Sequence, residues 1–330
     1  MILALAVSMA ALAQTAPGQP ATGPGGNDYL YSVTASGPYW AAGHEGDNQF
    51  RYFLYEPAPA PAQAPVVLFL HGVFALDPSY YANWMNHIVR KGYVVVWVQY
   101  QAGTTPTWRY IANAEVAWKD ALKRLDNPAE QHVRPERDNN GAYMTGVGGH
   151  SAGAFLAMVL AARATRTFTA LPQPKAIFAI EPGSTLIPGE DFYRIPSATK
   201  LLLLAGEDDT VVCLQTAVNM WTKTAQIPDP NRDFLLARSD ARGTPAQIAN
   251  HFFPNNDGYR DTAAIDARDY FITYRLSVAV LNCAFRGTDC HIGLGNGSAA
   301  QTDLGLWSDG VPVKPLQWTA SPIVLTAPCQ

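Results

Sequence analysis

From Val66 onward the chain alternates short, wholly apolar runs with stretches whose apolar residues recur at helical spacing, and few folds accommodate that alternation. Val66–Leu70, Tyr93–Val98, Ala176–Ile180 and Leu201–Leu204 are continuous apolar runs of the kind found in strands buried on both faces. Tyr81–Lys91, Asn113–Leu125 and Ala154–Arg163 read as helices, and Tyr143–Gly146 leads as a strand into the last of these. Strands alternating with helices imply an α/β class, a mostly parallel twisted sheet with helices on both faces. Functional loops then gather at the carboxyl ends of the strands. An early antiparallel hairpin around Phe50–Tyr55 is expected ahead of the first core strand, joined to it by the Pro-rich loop Pro57–Pro65. A further helix is expected from about Thr262 to Phe285.

Composition narrows the class of protein. Hydrophobic residues make up 48% of the chain and charged residues 15%, enough apolar material for a large core. The formal charge of −4 comes without any Lys/Arg cluster, which disfavours nucleic acid and a basic membrane-binding patch. Residues 1–13 are apolar and end in Ala11-Leu12-Ala13, the pattern of a cleaved signal peptide, although no Lys or Arg precedes Arg51. No later run is long and apolar enough to span a membrane. Residues 14–27 are Pro/Gly-rich and read as a flexible lead-in. Residues 28–330 show no composition break or repeat and read as one domain, expected to be monomeric and secreted or periplasmic.

Cys213, Cys283, Cys290 and Cys329 are an even set suited to an oxidising compartment. Cys283 and Cys290 are close enough to staple a short loop, leaving Cys213 to pair with Cys329. No cysteine or histidine spacing suggests zinc, and no bound metal or cofactor is expected. Asn255–Asp261 lacks the spaced ligands of a calcium loop and reads as a turn. Trp307 and Trp318 are expected to pack the tail onto the body.

The chemistry concentrates at Gly149-His150-Ser151-Ala152-Gly153, set between an apolar strand and a helix. A turn that sharp demands small flanking residues and lifts the Ser151 hydroxyl above the sheet, at the positive end of the helix. The Ala152 amide then points at a developing oxyanion, and Val73 in His71-Gly72-Val73 is the expected second donor. His71 itself reads as a buried imidazole that holds its loop. Phe74 is a candidate substrate-binding residue, with core packing the alternative. A strand ending at Leu204 runs into Gly206-Glu207-Asp208-Asp209, and an acid here fits the order Ser, acid, His. Chemistry alone does not choose among the three acids. Glu181, after the preceding strand, is a spare candidate.

Seven histidines compete for the general base. Only His251 and His291 follow the acid, and His291 sits beside Cys290 in a Gly-rich loop. His251, in Asn250-His251-Phe252, is therefore preferred. His132 lies in a polar loop and is expected to be solvated.

Leu68-Phe69-Leu70-His71-Gly72, the Gly149–Gly153 motif, Gly206-x-x-Asp209-x-x-Val212 and Asn250-His251-Phe252 together carry a family resemblance. Over about residues 50–285 the chain resembles the α/β hydrolases of the group containing chlorophyllases, dienelactone-hydrolase-like esterases and cutinase-like polyester hydrolases. The resemblance implies an α/β-hydrolase fold and a Ser151–Asp209–His251 triad, with Val73 and Ala152 as oxyanion donors. Asp209 is also favoured by position, since an acid three residues past a Gly206 pivot can curl back toward the histidine loop, with Val211 and Val212 anchoring it by burial. Polyester hydrolases tend to have Met where this chain has Ala152, and an aromatic where it has Glu181-Pro182. The expected activity is hydrolysis of small or polymeric carboxylic esters. A lipase, a polyester hydrolase and a non-catalytic binding protein of the same fold are the alternatives.

Overall fold

A computed structural model describes residues 14–183, 187–212, 214–260 and 263–319. Nine strands form one sheet: β1 (Ser32–Trp40), β2 (Arg51–Ala58), β3 (Val66–Leu70), β4 (Val94–Val98), β5 (Thr145–His150), β6 (Ala176–Ile180), β7 (Lys200–Gly206), β8 (Arg232–Ala237) and β9 (Gln317–Trp318). Their spatial order is β1-β2-β4-β3-β5-β6-β7-β8-β9. The six strands from β4 to β8 are mutually parallel. β1 and β2 form an antiparallel hairpin at one edge and β9 pairs antiparallel at the other. The architecture is that of an α/β hydrolase.

Each central strand is buried along its whole length because helices cover both faces. Val66, Leu68 and Leu70 point to the side packed by α2 (Tyr110–Leu125), α3 (Ala152–Arg163) and α4 (Leu214–Thr222). Val67 and Phe69 point to the other, against α1 (Ala82–Arg90) and α5 (Arg275–Arg286). A strand with two buried faces has no polar side to alternate with, so its sequence is a continuous apolar run.

Several elements differ from the sequence expectation. The strand expected at Tyr143–Gly146 runs from Thr145 to His150, because its glycines read as a turn although they lie in the sheet interior. β8 was not anticipated, because Arg232 and Asp233 open it with charge; buried Asp233 is bonded by Gln301 and by the Trp318 indole. The helix expected from Thr262 begins at a π-helical turn over Asp269–Tyr274 and becomes regular at Arg275. Residues 263–265 stay outside it, where Asp257 accepts the Ile265 amide.

Residues 14–27, expected as a flexible lead-in, are packed on the body. Gln14 bridges to Gly243, and Gly25 lies against Tyr270 and Arg275. Pro24 holds its carbonyl against His87 Nε2 at 2.7 Å. His132 is not solvated either; its Nδ1 lies 2.8 Å from Glu56. Trp307 is buried with its indole on Asp240. The Cys283–Cys290 disulfide is present, while the pairing of Cys213 with Cys329 and the signal segment lie outside the described residues. No described helix is long and apolar enough to cross a membrane.

Three interior imidazoles couple this fold to pH. Burial pushes His71 down to about 4, His87 to about 3, and His150 well below the ordinary value of 6.5. A depressed folded value means the neutral ring contributes its stability above pH 6.5, and that contribution is lost as pH falls toward the folded value. For His71 alone the full loss is roughly 3 kcal/mol. Urea unfolding midpoints should therefore drop between pH 7 and pH 4.5, with a shallower drop in His87→Gln. Equal midpoints at both pH values would contradict the assignment.

Candidate active site

The site sits where the parallel strands end. β5 stops at His150, and the chain reverses into α3 through Ser151, whose backbone is held at φ 58°, ψ −125°. A non-glycine residue there is strained by about 1–3 kcal/mol. Three contacts over-determine it: the Ser151 amide donates to the Ile180 carbonyl at 3.0 Å, and the Ser151 carbonyl accepts from Gly183 at 3.1 Å and from Phe155 at 3.2 Å. The flanking glycines are a steric requirement, since a Cβ at either Gly149 or Gly153 would fall on the Leu70 carbonyl oxygen.

The Ser151 hydroxyl lies 2.9 Å from His251 Nε2, and His251 Nδ1 lies 2.7 Å from Asp209 Oδ2. The three side chains come from segments after β5, β7 and β8. Asp209 is itself held, since its Oδ1 accepts the Val211 and Val212 amides at 2.9 and 3.0 Å. Its neighbours face elsewhere. Glu207 accepts the Ser239 amide and Asp208 the Ser239 hydroxyl, which together pin the β7 loop to the segment after β8. With Nδ1–H donating to Asp209, the lone pair of Nε2 faces the Ser151 proton.

Ala152 opens α3, so its amide has no acceptor one turn back. Val73 lies on the β3 loop, where Gly72 packs beside Ser151 Cβ and His150. Neither amide enters another hydrogen bond among the described residues. The loop is fixed around them: Ala75 donates to Gly72, and Phe74 donates to Gln101 Oε1 at 2.9 Å. His71 is fully buried, stacked 4.2 Å from Tyr100, and donates from Nδ1 to the Gly72 carbonyl at 2.6 Å. Phe74 is 66% exposed, so it is not a core residue. Val211, expected to anchor its loop by burial, is exposed; its loop is held by the backbone bonds to Asp209 instead.

Two further groups lie beneath this line, the Tyr81–His150 pair and Glu181, the spare acid candidate. Tyr81 accepts the Gly72 amide at 3.0 Å and donates to His150 Nδ1 at 2.9 Å. His150 Nε2 then donates to the His251 carbonyl at 2.8 Å, which sets a single neutral tautomer. One buried chain of bonds therefore joins the β3 loop, the serine turn and the histidine loop. Tyr81 gave no sequence signal, being one tyrosine among several at a helix start. His150 stood inside the motif, at a position where steric reasoning asks nothing of the side chain.

Glu181 is the second group. It is fully buried, and neither carboxyl oxygen has a hydrogen-bond partner among the described residues. Burial, followed by the Asp209 charge, holds its pKa well above the ordinary carboxyl value. It lies 3.4 Å from His150 Nε2 and 3.9 Å from His251 Nδ1. His150, Glu181 and His251 could geometrically present three ligand atoms to a cation. Both nitrogens of each imidazole are already bonded, so a cation could bind only by breaking the Ser151–His251–Asp209 line. A cleft of about 1120 Å³ lined by Lys119, Arg137, Tyr143 and Lys175 is remote from Ser151, beside the starts of β5 and β6.

The Chlorophyllase family model matches residues 53–187. The matched segment contains the β3 loop, Ser151 and Glu181, and ends before Asp209 and His251. No curated protein matches the chain. The likeness to chlorophyllases, within the α/β-hydrolase superfamily, supports an ester hydrolase at the level of the family.

Tyr81→Phe should leave two buried groups unpaired, the Gly72 amide and His150 Nδ1. A loss of about 1–3 kcal/mol in stability is expected. Ester turnover should fall while KM stays near its original value, because the loop geometry changes and the substrate surface does not. Full turnover in a destabilised Tyr81→Phe would show that the chain of bonds serves the fold alone.

Proposed function

We propose that this chain is a secreted carboxylic-ester hydrolase that works through an acyl-enzyme on Ser151 and needs no cofactor. The reading is carried by one observation, the unbroken hydrogen-bonded line from Ser151 Oγ through His251 to Asp209. Such a line gives a hydroxyl that is a poor nucleophile alone a base to receive its proton.

In this mechanism Ser151 attacks the ester carbonyl while His251 Nε2 takes the hydroxyl proton. Asp209 keeps His251 in the tautomer with its proton on Nδ1 and stabilises the imidazolium as it forms. The Val73 and Ala152 amides receive the oxyanion, the latter aided by the positive end of α3. His251 returns the proton to the leaving alcohol. Water then attacks the acyl-enzyme by the same route, with the acid released and Ser151 restored. Residues 28–330 act as one catalytic unit. Export is supported by the apolar start of the chain and by the Cys283–Cys290 disulfide, which persists in oxidising compartments.

Ser151→Ala should abolish ester cleavage with the fold intact, and an organophosphonate should add a single label on the peptide bearing Ser151. Labelling at another residue, or retained activity in the variant, would refute the reading. Among the acids, Asp209→Asn is expected to lower kcat by about 10⁴, the scale seen when a triad imidazole adopts the wrong tautomer. Asp208→Asn and Glu207→Gln should each cost about tenfold at most, since their bonds to Ser239 act on loop position only. A crippled Asp208→Asn beside an active Asp209→Asn would move the assignment by one residue.

A further inference from the structure

The chain carries a formal charge of −4, yet its surface holds a locally positive hollow. This is the cleft of about 1120 Å³ at the starts of β5 and β6, walled by α2 and by the loops that enter the two strands. Four cations line it, Lys119, Lys123, Arg137 and Lys175, against two carboxylates, Asp126 and Asp138. They come from separate segments, so no basic run in the sequence announces them.

Both carboxylates are already engaged. Asp126 Oδ2 lies 2.6 Å from Arg137 and accepts the Tyr143 hydroxyl at 2.9 Å, while Arg137 also stacks over the Tyr143 ring at 3.8 Å. Asp138 lies 2.6 Å from Lys175. The two remaining cations, Lys119 and Lys123, stand one turn apart on the exposed side of α2. Like charges at that spacing disfavour a helix slightly. Lys119 reaches only the Thr169 carbonyl, at 3.3 Å, and Lys123 has no partner among the described residues. Two ammonium groups therefore line one cleft with no carboxylate of the protein left to pair with them.

Much of the remaining wall is apolar. Leu122, between the two lysines on α2, and Leu171 are buried, with Ala142, Ala170 and Pro172 beside them. Sites for small ligands are typically about 300–1,000 Å³, mostly apolar, with a few convergent polar groups. This cleft has that make-up, and being concave it suits a single molecule better than a flat bilayer. A bare inorganic anion would use the lysines and leave the apolar walls wet. An uncharged hydrocarbon would do the reverse.

We propose that this cleft is a second binding site, separate from the Ser151 site, and that it takes a carboxylate amphiphile. The carboxylate lies between Lys119 and Lys123, and the apolar chain runs along Leu122, Leu171 and Pro172. The ammonium groups contribute an attraction that salt weakens, and the chain contributes burial that salt does not. β5 is six residues long, so its two ends lie about 20 Å apart. A ligand in the cleft therefore stays clear of the Ser151 hydroxyl.

The test is calorimetric titration of the full chain with decanoate below its micelle concentration, beside butyrate and decyltrimethylammonium. Decanoate should bind about tenfold or more tightly than butyrate, which has the same charge on a shorter chain. Decyltrimethylammonium, with the same chain and the opposite charge, should not compete. The double variant Lys119→Gln with Lys123→Gln should weaken decanoate about tenfold. Lys223→Gln, which removes an exposed cation elsewhere, should leave the affinity unchanged. Ala170→Asp provides a variant that keeps both lysines. Ala170 sits at φ 51°, which aspartate tolerates better than most residues, and the added carboxylate should compete for the lysines and weaken binding. A decanoate with a diazirine at its chain end should label peptides within 118–127 or 170–175. Unchanged affinity in both cleft variants, butyrate bound as tightly as decanoate, or an equal loss in Lys223→Gln would overturn the inference. So would a label confined to the peptides bearing Ser151 or His251, where an acid product would be held. Every readout here is binding alone, so failure of this inference leaves the ester-hydrolase reading intact.

Discussion

The top of the sheet is built against a single backbone atom, the carbonyl oxygen of Leu70. Both glycines of the serine turn lie so close to it that neither can carry a side chain. Leu70 is also the last residue of β3, from which the chain passes directly into His71, Gly72 and Val73. Ser151 and Val73, the proposed nucleophile and one proposed oxyanion donor, are thus positioned from the same point, across two hydrogen-bonded strands. Between these two glycines Ser151 holds its unfavourable φ of 58°. The bonds from Ser151 to Ile180 and Gly183 then bring in β6 and its following loop, so the strain is distributed over three neighbouring strands.

A packed apolar interior explains the strands but leaves the loops to be joined by something directional. The chain from Gly72 through Tyr81 and His150 to the His251 carbonyl does this with three hydrogen bonds. Its members must be buried, since water would compete for every partner. They must also be neutral, because an imidazolium at His150 would present a proton to Tyr81 where the Tyr81 hydroxyl needs an acceptor. Desolvation meets that condition by pushing His150 far below its ordinary pKa. Burial and bonding therefore reinforce each other here: the apolar surroundings that would penalise an unpaired ring also keep this one in the state its partners require.

How much of this was legible in sequence depends on whether a feature leaves a local pattern. The bounds of β6 are legible to the residue because an apolar run flanked by polar residues has sharp ends. β8 was invisible because its opening Arg232 and Asp233 look like a loop, and only the distant Gln301 and Trp318 make a buried aspartate tolerable. Residues 14–27 looked flexible because Pro/Gly content describes intrinsic stiffness and not docking; their contacts with Gly243, His87 and Arg275 are separated from them by tens to hundreds of residues. At the site, the GxSxG glycines were readable as steric demands. Gly206 has the look of a loop pivot, yet it closes β7, where Glu181 and the Ala249 carbonyl occupy the space a Cβ would need. The tyrosine beneath the site carried no pattern at all.

The presence of two acids near one imidazole sharpens the question of which orients it. Distance separates them first: Asp209 is 2.7 Å from His251 Nδ1 and Glu181 is 3.9 Å away, too far for a hydrogen bond. Acceptor use separates them further. Asp209 takes two backbone amides on one oxygen and the imidazole on the other, so its position is set from both sides. Neither Glu181 oxygen receives a hydrogen bond among the described residues, since His150 Nε2, 3.4 Å away, donates to the His251 carbonyl instead, and burial favours the protonated form of Glu181. A second carboxylate there would attract the Nδ1 proton away from Asp209 and place two like charges beside one ring. A neutral carboxyl avoids that competition and still fills the space beneath the imidazole. Geometry and burial together thus leave Asp209 as the acid bonded to His251 Nδ1, with Glu181 filling the space beside it.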